Sequence, residues 1–561
     1  MFITSKKLHN INEKLHLAKL LFSSIYWSYS LSKKLIKSGL IVSFMTLVSR
    51  VLGLVRDVVI ANIIGAGLAS DVFFFANKIP SFFRRLFAEG AFAQAFVPVL
   101  SEYHTKDEQA GTGVSEGETR KLIGQVSGTL GVIITLVTLF GMVASPLFVI
   151  LFGYGWFVDW LNDGPKAQQF ELASTLLKIT FPYLWFVSFT ALAGAVLNTF
   201  GKFAVSSFTP VLLNVCIIAC AIYLSPFFEN PAYALAWGVF LGGLAQFLFQ
   251  IPFLIKAGVF VKPKWAWHEP GVTKIRKLIV PALFGVSVTQ INLLLDTVIA
   301  TILVTGSISW LYYADRLLEF PLGLFGIGIA TVILPSLAKL HTKKNNQEFS
   351  DTITWGLKIV SLFGWPALAG LMVLAQPIIM ILFMRGEFLE ETVLKVSYAL
   401  FAYLSGLISF MFIKILAPAY YARQDTKTPV KIGIKAMVAN MAFNLMLAPF
   451  FGYVGLAIAT AMSATLNALM LYHGLKKNNV FVLSKTTWWF FARLIFSAGI
   501  MAGVVYWLSP PFKGWLAMST AMQIQQLLIC ITLGMLSYFI SIAALGIRVK
   551  DFKVQADVKI N

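Results

Sequence analysis

Residues 122–146 read LIGQVSGTLGVIITLVTLFGMVASP, an uncharged run that begins directly after Arg120 and Lys121. About 30 Å of hydrocarbon is crossed by about 20 residues of helix, so this run is long enough to span a bilayer. The same pattern recurs along the chain. Comparable segments fall at 38–64, 71–101, 173–199, 208–226, 231–255, 278–304, 308–338, 355–383, 392–421, 430–449, 453–474, 488–508 and 525–546, about fourteen in all. Composition agrees: 58% of the 561 residues are hydrophobic and only 12% are charged, where a soluble domain carries roughly a quarter. Too little polar surface remains to face water, so most of the chain must face lipid. The expected fold is all-α and polytopic.

The formal net charge is +20, and its placement gives it a meaning. Basic residues crowd alternate connections: Lys33, Lys34 and Lys37, then Lys106, Arg120 and Lys121, then Lys202, then the series from Lys256 to Lys277. Further along come Lys339, Lys343 and Lys344, then Arg423 and Lys427, then Lys476, Lys477 and Lys485, and finally Arg548, Lys550 and Lys553. The intervening connections hold only Lys166, Arg385 and Lys513. The positive-inside rule therefore puts both termini of a multi-pass membrane protein in the cytoplasm. The excess charge is topological, which argues against nucleic acid as a partner.

The chain also repeats itself. Asp57-Val-Val-Ile-Ala resembles Asp296-Thr-Val-Ile-Ala, and Ala76-Asn-Lys with Leu86, Phe87, Gly90 and Pro98 matches Ala314-Asp-Arg with Leu324, Phe325, Gly328 and Pro335. The expected organisation is a cytoplasmic extension at 1–35, a six-helix half at 36–258, a pseudo-symmetric six-helix half at 272–476, two additional helices at 486–548, and a tail at 549–561. Duplicated halves place a transporter's substrate site at their interface, near the bilayer midplane.

Charges inside the spans carry the chemistry. The first span holds Arg50, Arg56 and Asp57. The second opens with Asp71 and is interrupted by Lys78, Pro80, Arg84, Arg85, Glu89 and Gly90. The eighth holds Asp315, Arg316 and Glu319, followed by Pro321. Each charge at the bilayer centre costs about 2.5–3.5 kcal/mol even on the lenient insertion scale, so these groups either pair or line a watery cavity. Pairing is available to Arg56 with Asp57, Arg316 with Asp315, and Arg85 with Glu89; Arg50 and Arg84 have no adjacent acid. The planar guanidinium fork suits phosphate oxygens, and a ring of Arg50, Arg56, Arg84 and Arg316 is the arrangement expected of a pyrophosphate cavity. Pro80 and Gly90 are expected to break the second helix and free backbone N–H groups for an anion.

A second constellation combines Asp296 with Asn440 and Asn444, one turn apart, and Thr460. Oxygen ligands of this kind suit Na⁺ or a proton, the alternative being a hydrogen-bonded packing network. Lys414 either lines the cavity or snorkels to the cytoplasm. Enzyme chemistry has no visible carrier: the six histidines fall in the N-terminal segment or near loops, without an HExxH pair, a GxSxG elbow or a phosphate-loop lysine. The chain is expected not to be an enzyme and to need no cofactor.

Several motifs are familiar. Ser49-Arg-Val-Leu-Gly-Leu-Val-Arg56-Asp57 with Gly65-Ala-Gly67 and Asp71 resembles the opening of the MurJ/MviN family of lipid II flippases. So do Arg84-Arg-Leu-Phe-Ala-Glu89-Gly, Trp310-Leu-Tyr-Tyr-Ala-Asp315-Arg316-Leu-Leu-Glu319-Phe-Pro321, and Ala417-Pro418 through Arg423-Gln-Asp-Thr-Lys427-Thr-Pro429. The likeness runs from about residue 36 to the end. It implies a fourteen-helix fold of the multidrug/oligosaccharidyl-lipid/polysaccharide exporter superfamily, moving lipid II, the undecaprenyl-pyrophosphate-linked peptidoglycan precursor, from the cytoplasmic to the periplasmic leaflet. By that likeness Arg50, Arg56, Arg84 and Arg316 would hold the headgroup, with Asp71 in the essential set and Ser49, Arg85, Glu89 and Asp315 beside them. The two additional helices would line a groove for the polyprenyl tail. Membrane lipids and the cell-wall synthesis machinery are the expected partners, and the membrane potential or Na⁺/H⁺ coupling through Asp296 the expected energy source. The rival readings are a flippase for another polyprenyl-linked glycan and a drug/cation antiporter of the same superfamily.

Overall fold

The computed structural model describes residues 41–86, 91–111 and 117–552, and all regular structure among them is helical. The expected extension at 1–35, Glu89 and Gly90, and the tail beyond 552 lie outside the described residues. Among the described residues, ten helical stretches are long and apolar enough to cross a membrane, and counting one bent pair as a span gives eleven.

Helix α1 covers 41–64, and α2 (Leu68–Phe83) and α3 (Ala91–Ala110) occupy the expected second span. Pro80 does not end α2: the helix runs on to Phe83, and the Arg84 N–H still reaches the carbonyls of Pro80 and Ser81. Helix α4 is Glu118–Val143. Two short helices, α5 (Ser145–Phe152) and α6 (Tyr154–Leu161), fill what reads in sequence as a plain connection. The fourth span is made of α7 (Ala167–Thr180) and α8 (Tyr183–Thr199), joined at Pro182. Helices α9 (Phe203–Tyr223) and α10 (Ala232–Lys256) follow.

The chain then lays the connection 258–269 along α4. The Lys264 N–H donates to the Gly124 carbonyl at 2.8 Å, and a Cβ on Gly128 would come within 2.3 Å of the Lys264 backbone. Helix α11 (Pro270–Ile302) leads to α12 (Ser307–Pro321), which relaxes into a π-helical turn at Leu322–Ile327 before α13 (Gly328–Thr342). Helix α14 spans Asn346–Phe383. Helices α15 (Glu390–Leu404) and α16 (Leu407–Tyr421) meet at 42°. The chain closes with α17 (Lys427–Phe451), α18 (Tyr453–Lys477), α19 (Lys485–Leu508), the short α20 (Phe512–Leu516) and α21 (Thr520–Ala544).

Lipid tails are as apolar as leucine, so helices in a membrane associate by close van der Waals contact rather than by exclusion of water. Glycine supplies that closeness here. A Cβ on Gly238 would lie 2.9 Å from the Ile217 Cα, and one on Gly242 would lie 2.6 Å from Leu213, so α9 and α10 pack nearly backbone to backbone. Gly406, at the α15–α16 bend, lets α18 approach in the same way through Ala461.

The motif Arg423 to Pro429 acquires a physical role in the turn before α17. Asp425 accepts from the Thr428 N–H at 3.0 Å and so caps the helix that Lys427 begins. Burial alone would push this carboxyl up, but the hydrogen bonds from Thr428 outweigh it and hold the group below the usual carboxylate range.

One end of the bundle is latched, the end opposite the basic connections. There α1 ends at Gly65 with φ +62°, and a Cβ at that position would sit 2.4 Å from the Glu387 carbonyl oxygen. The Glu387 N–H donates to the Asn62 carbonyl at 3.0 Å. Lys166 donates to the carbonyls of Thr301, Ile302 and Leu303, placing a cation on the negative end of α11. Gln169 donates to the Thr305 hydroxyl at 3.2 Å. These contacts tie α1, α6 and α7 to α11 and to the α14–α15 turn.

Gly65→Val is expected to weaken that latch by about 1–3 kcal/mol, the cost of a strained left-handed residue, with the steric conflict added. Gly67→Ala is the steric control, since nothing lies within 4 Å of the added methyl. Thermal unfolding of the detergent-purified protein checks the pair; equal midpoints would show that the contact is incidental.

Candidate functional site

Helices α1 and α12 cross where their charges meet. Asp57, only 3% exposed, takes hydrogen bonds from Arg56 through Nε at 3.0 Å and Nη2 at 2.7 Å. From α12, the Tyr312 hydroxyl donates to the same carboxylate at 2.9 Å, and the Arg316 Nε lies 3.4 Å from its other oxygen. Two guanidinium groups thus share one buried carboxylate. Arg56 completes its fork with the Asn214 side-chain oxygen at 3.1 Å and the Tyr312 oxygen at 3.2 Å. Asn214 in turn donates to the Ser49 carbonyl, joining α9 to α1. Tyr312 stacks on Phe74 of α2 with ring centroids 3.8 Å apart and carries the Arg316 guanidinium 4.8 Å from its own centroid.

The two arginines are not equivalent. Arg56 is 16% exposed, with every nitrogen engaged. Arg316 is 38% exposed and bonds Glu319, itself 52% exposed, at 2.9 Å. An incoming anion can displace an exposed partner far more cheaply than a buried one. Arg316 is therefore the group that presents charge outward, and Arg56 the one that fixes Asp57 and Tyr312. Arg50 is exposed on α1 and lies against the π-helical turn, where a Cβ on Gly323 would be 2.6 Å from its Nη1. That glycine gives the guanidinium room. Arg84 is half-buried, and Arg85 is exposed and donates to the Gln290 side chain at 3.3 Å. Asp315 is exposed, within electrostatic reach of Glu319, Arg316, Lys78 and Arg85. Lys414 is exposed on α16, its aliphatic stem 3.7 Å from where a Cβ of Gly326 would be.

Asp71 is engaged elsewhere. Its carboxylate, 3% exposed, accepts from the backbone N–H groups of Gly306 at 2.6 Å and Ser309 at 2.8 Å, and from the Ser309 hydroxyl at 2.6 Å. Those are the first orphan donors of α12, so Asp71 acts as an N-cap supplied by another helix. What the structure gives it is the positioning of α12.

The second constellation is assembled in part. Asp296 Oδ1 accepts from the Asn440 amide at 2.8 Å and the Asn444 amide at 2.6 Å, and Asn440 also reaches Asn292 at 3.2 Å. Thr460 turns its hydroxyl back to the Leu456 carbonyl of its own helix.

Comparison with known proteins decides the lineage: residues 60–525 match the family model described as "Lipid II flippase MurJ". The chain belongs to that family. It is 60% identical over 528 residues to a protein of Vibrio cholerae named "Probable lipid II flippase MurJ", covering 94% of this chain and 99% of the relative. It is 38% identical to "Lipid II flippase MurJ" of Burkholderia cenocepacia, covering 93% and 99%. Among solved structures, "Lipid II flippase MurJ, inward closed conformation" superposes with a TM-score of 0.74 at 27% identity, covering 91% of this chain and all of that one. An inward-facing multidrug transporter of the MATE family matches at a TM-score of 0.63 and 14% identity, a likeness of fold alone. The protein is thus a multi-pass membrane protein of a transporter family.

Of the residues singled out in sequence, the structure gathers Arg56 and Arg316 around Asp57, with Asp315 and Arg85 near. Arg316 bonds Asp57 across to α1 and Glu319 one turn on along its own helix rather than pairing with Asp315. Tyr312, Asn214 and Ser309 were missed. Tyr312 lies one helical turn before Arg316 on the same face, and that spacing was the available signal. Asn214, alone in an apolar run, was the other.

Tyr312→Phe removes one hydrogen bond to Asp57 and is expected to cost about 1 kcal/mol. Asp71→Ala leaves the buried donors of Gly306 and Ser309 without an acceptor and should cost about 1–3 kcal/mol, with Asp71→Asn intermediate. Unfolding midpoints of the purified variants check this order; an unchanged Asp71→Ala midpoint would remove Asp71 as the cap.

Proposed function

We propose that this chain is the lipid II flippase of its cell, moving the undecaprenyl-pyrophosphate-linked glycopeptide from the cytoplasmic to the outer leaflet of the inner membrane. The observation that carries this reading is the convergence of Arg56 and Arg316 on Asp57 at the α1–α12 crossing, in a chain of this family. Guanidinium groups read pyrophosphate oxygens by paired hydrogen bonds. Arg50 and Arg316, the exposed members, are the contacts; Arg84, Arg85 and Asp315 border them, with Ser49 and Arg56 behind.

The cycle we infer is alternating access by rocking of the two six-helix halves. The latch at Gly65, Glu387 and Lys166 closes the far end, so the headgroup enters from the end of the basic connections. Helix α19 leaves Ile495 and Phe496 exposed, and α21 leaves Ile524, Leu528 and Ile540 exposed, a surface on which the polyprenyl tail can stay in lipid while the headgroup crosses. An inside-negative potential is worth about 2.3 kcal/mol per charge per 100 mV, so it draws an anionic headgroup outward without ATP. Asp296 with its two asparagines is the site at which a monovalent cation would reset the empty carrier. The arginine cluster argues against a drug/cation antiporter, whose cationic cargo it would repel.

Complementation in cells depleted of their own lipid II flippase tests this, with surface exposure of lipid II and membrane levels of each variant measured. Wild type should restore growth and exposure, while Arg50→Ala and Arg316→Ala at normal levels should lose at least tenfold. Failure of wild type would make another lipid-linked glycan the substrate. Normal activity of both variants would reduce the arginines to structural pairs.

A further inference from the structure

Lys78 is a lysine on α2 that the substrate reading does not use. Its ammonium donates to the Thr297 hydroxyl at 3.1 Å, on the residue next to Asp296 in α11. The carboxylates whose charge reaches it are Asp296, Asp315 and Asp71. Asp296 in turn feels Asn444, Lys78 and Asn440. A carboxylate at this depth needs a positive charge nearby, and Lys78 is a cation already built into the chain.

The amides point the same way. Asn440 and Asn444 are 1% and 0% exposed, and both turn their NH₂ groups to Asp296 Oδ1. Their own side-chain oxygens meet no donor among the described residues. Two buried amide oxygens left without partners are a departure from the usual rule that buried polar groups are bonded. Rotating both amides by half a turn would aim these oxygens, with the carboxylate, at one point. Oxygen donors of that type suit a hard monovalent cation.

We propose that Lys78 is a tethered counter-cation of the Asp296 site, and that it and a free monovalent cation of the Na⁺ class occupy the site's charge balance in alternation. In the arrangement described here the Thr297 hydroxyl holds the ammonium on the residue next to Asp296, and the asparagines donate to the carboxylate. With a free cation bound, the asparagines present oxygen and Lys78 is released toward Asp315. Lys78 sits on α2, while Asp296 and the asparagines sit on α11 and α17. Exchange of the two cations therefore makes or breaks a charge link between α2 and the helices that hold the site. This rests on reading Asp296 as a cation site. It adds that wild type binds Na⁺ weakly because the lysine competes.

The test is equilibrium binding of ²²Na⁺ to the purified full-length protein at fixed pH, with choline replacing sodium in the blank. Wild type and Lys78→Arg should bind weakly, Lys78→Gln at least tenfold more tightly, and Lys78→Gln/Asp296→Asn not at all. Equal affinity in wild type and Lys78→Gln would overturn the competition while leaving the cation site standing. No sodium binding by any variant would overturn both. Thermal unfolding gives a second arm that does not need Lys78→Gln on its own. Asp296→Asn should melt below wild type because it strands the ammonium, and Lys78→Gln/Asp296→Asn should recover the loss; a double variant no more stable than Asp296→Asn overturns the pairing.

Discussion

The hydrogen bonds from the start of α12 to Asp71 set the geometry of everything that follows. A helix N-terminus carries a partial positive charge and free N–H groups, and in a bilayer no water stands ready to satisfy them. Asp71 on α2 does so, and in doing so fixes where α12 begins. Tyr312 lies three residues past Ser309 and Arg316 seven, about 10 Å along the axis at 1.5 Å per residue. That fixed start brings both side chains to Asp57 on α1. Shifting α12 by one residue would rotate them by 100° and leave Asp57 with Arg56 alone.

The same constraint explains why the cationic groups differ in exposure. Charge in the interior is tolerable when it is paired and hydrogen-bonded, and Arg56 meets that condition with Asp57, Asn214 and Tyr312. Arg316 meets it only partly, through Asp57 at 3.4 Å and through Glu319, which is itself exposed. A site that holds and releases an anionic headgroup needs both kinds: a fixed group that keeps the frame and an incompletely satisfied one that the ligand can recruit. Arg50, given space by Gly323, is of the second kind.

Glycine works at two levels in this architecture. Within the bundle Gly238, Gly242 and Gly406 allow helices to touch where no hydrophobic force drives them together. At the latched end Gly65 and Gly386 turn with positive φ against Glu387 and Asn62, a conformation and a closeness that side chains would oppose. A contact made of short turns and few hydrogen bonds can open without unpacking the helices behind it.

The hydrophobic spans, the arginines set within them and the cluster of Asp296 with Asn440 and Asn444 were all legible in the sequence. Apolar length, residue type and i, i+4 spacing are local properties, and local properties are written in order along the chain. The partners of the charges were not legible. Asp71 bonds α12 across 235 residues and Arg56 bonds Asn214 across 158, distances over which sequence carries no geometric information. The α5–α6 helices and the course of 258–269 along α4 were hidden for the same reason: each depends on a surface made by another helix. Sequence by itself determined that the protein crosses a membrane and carries arginines suited to phosphate. Only the tertiary structure decided which of those charges are already satisfied, because pairing depends on which helix faces arrive together in space.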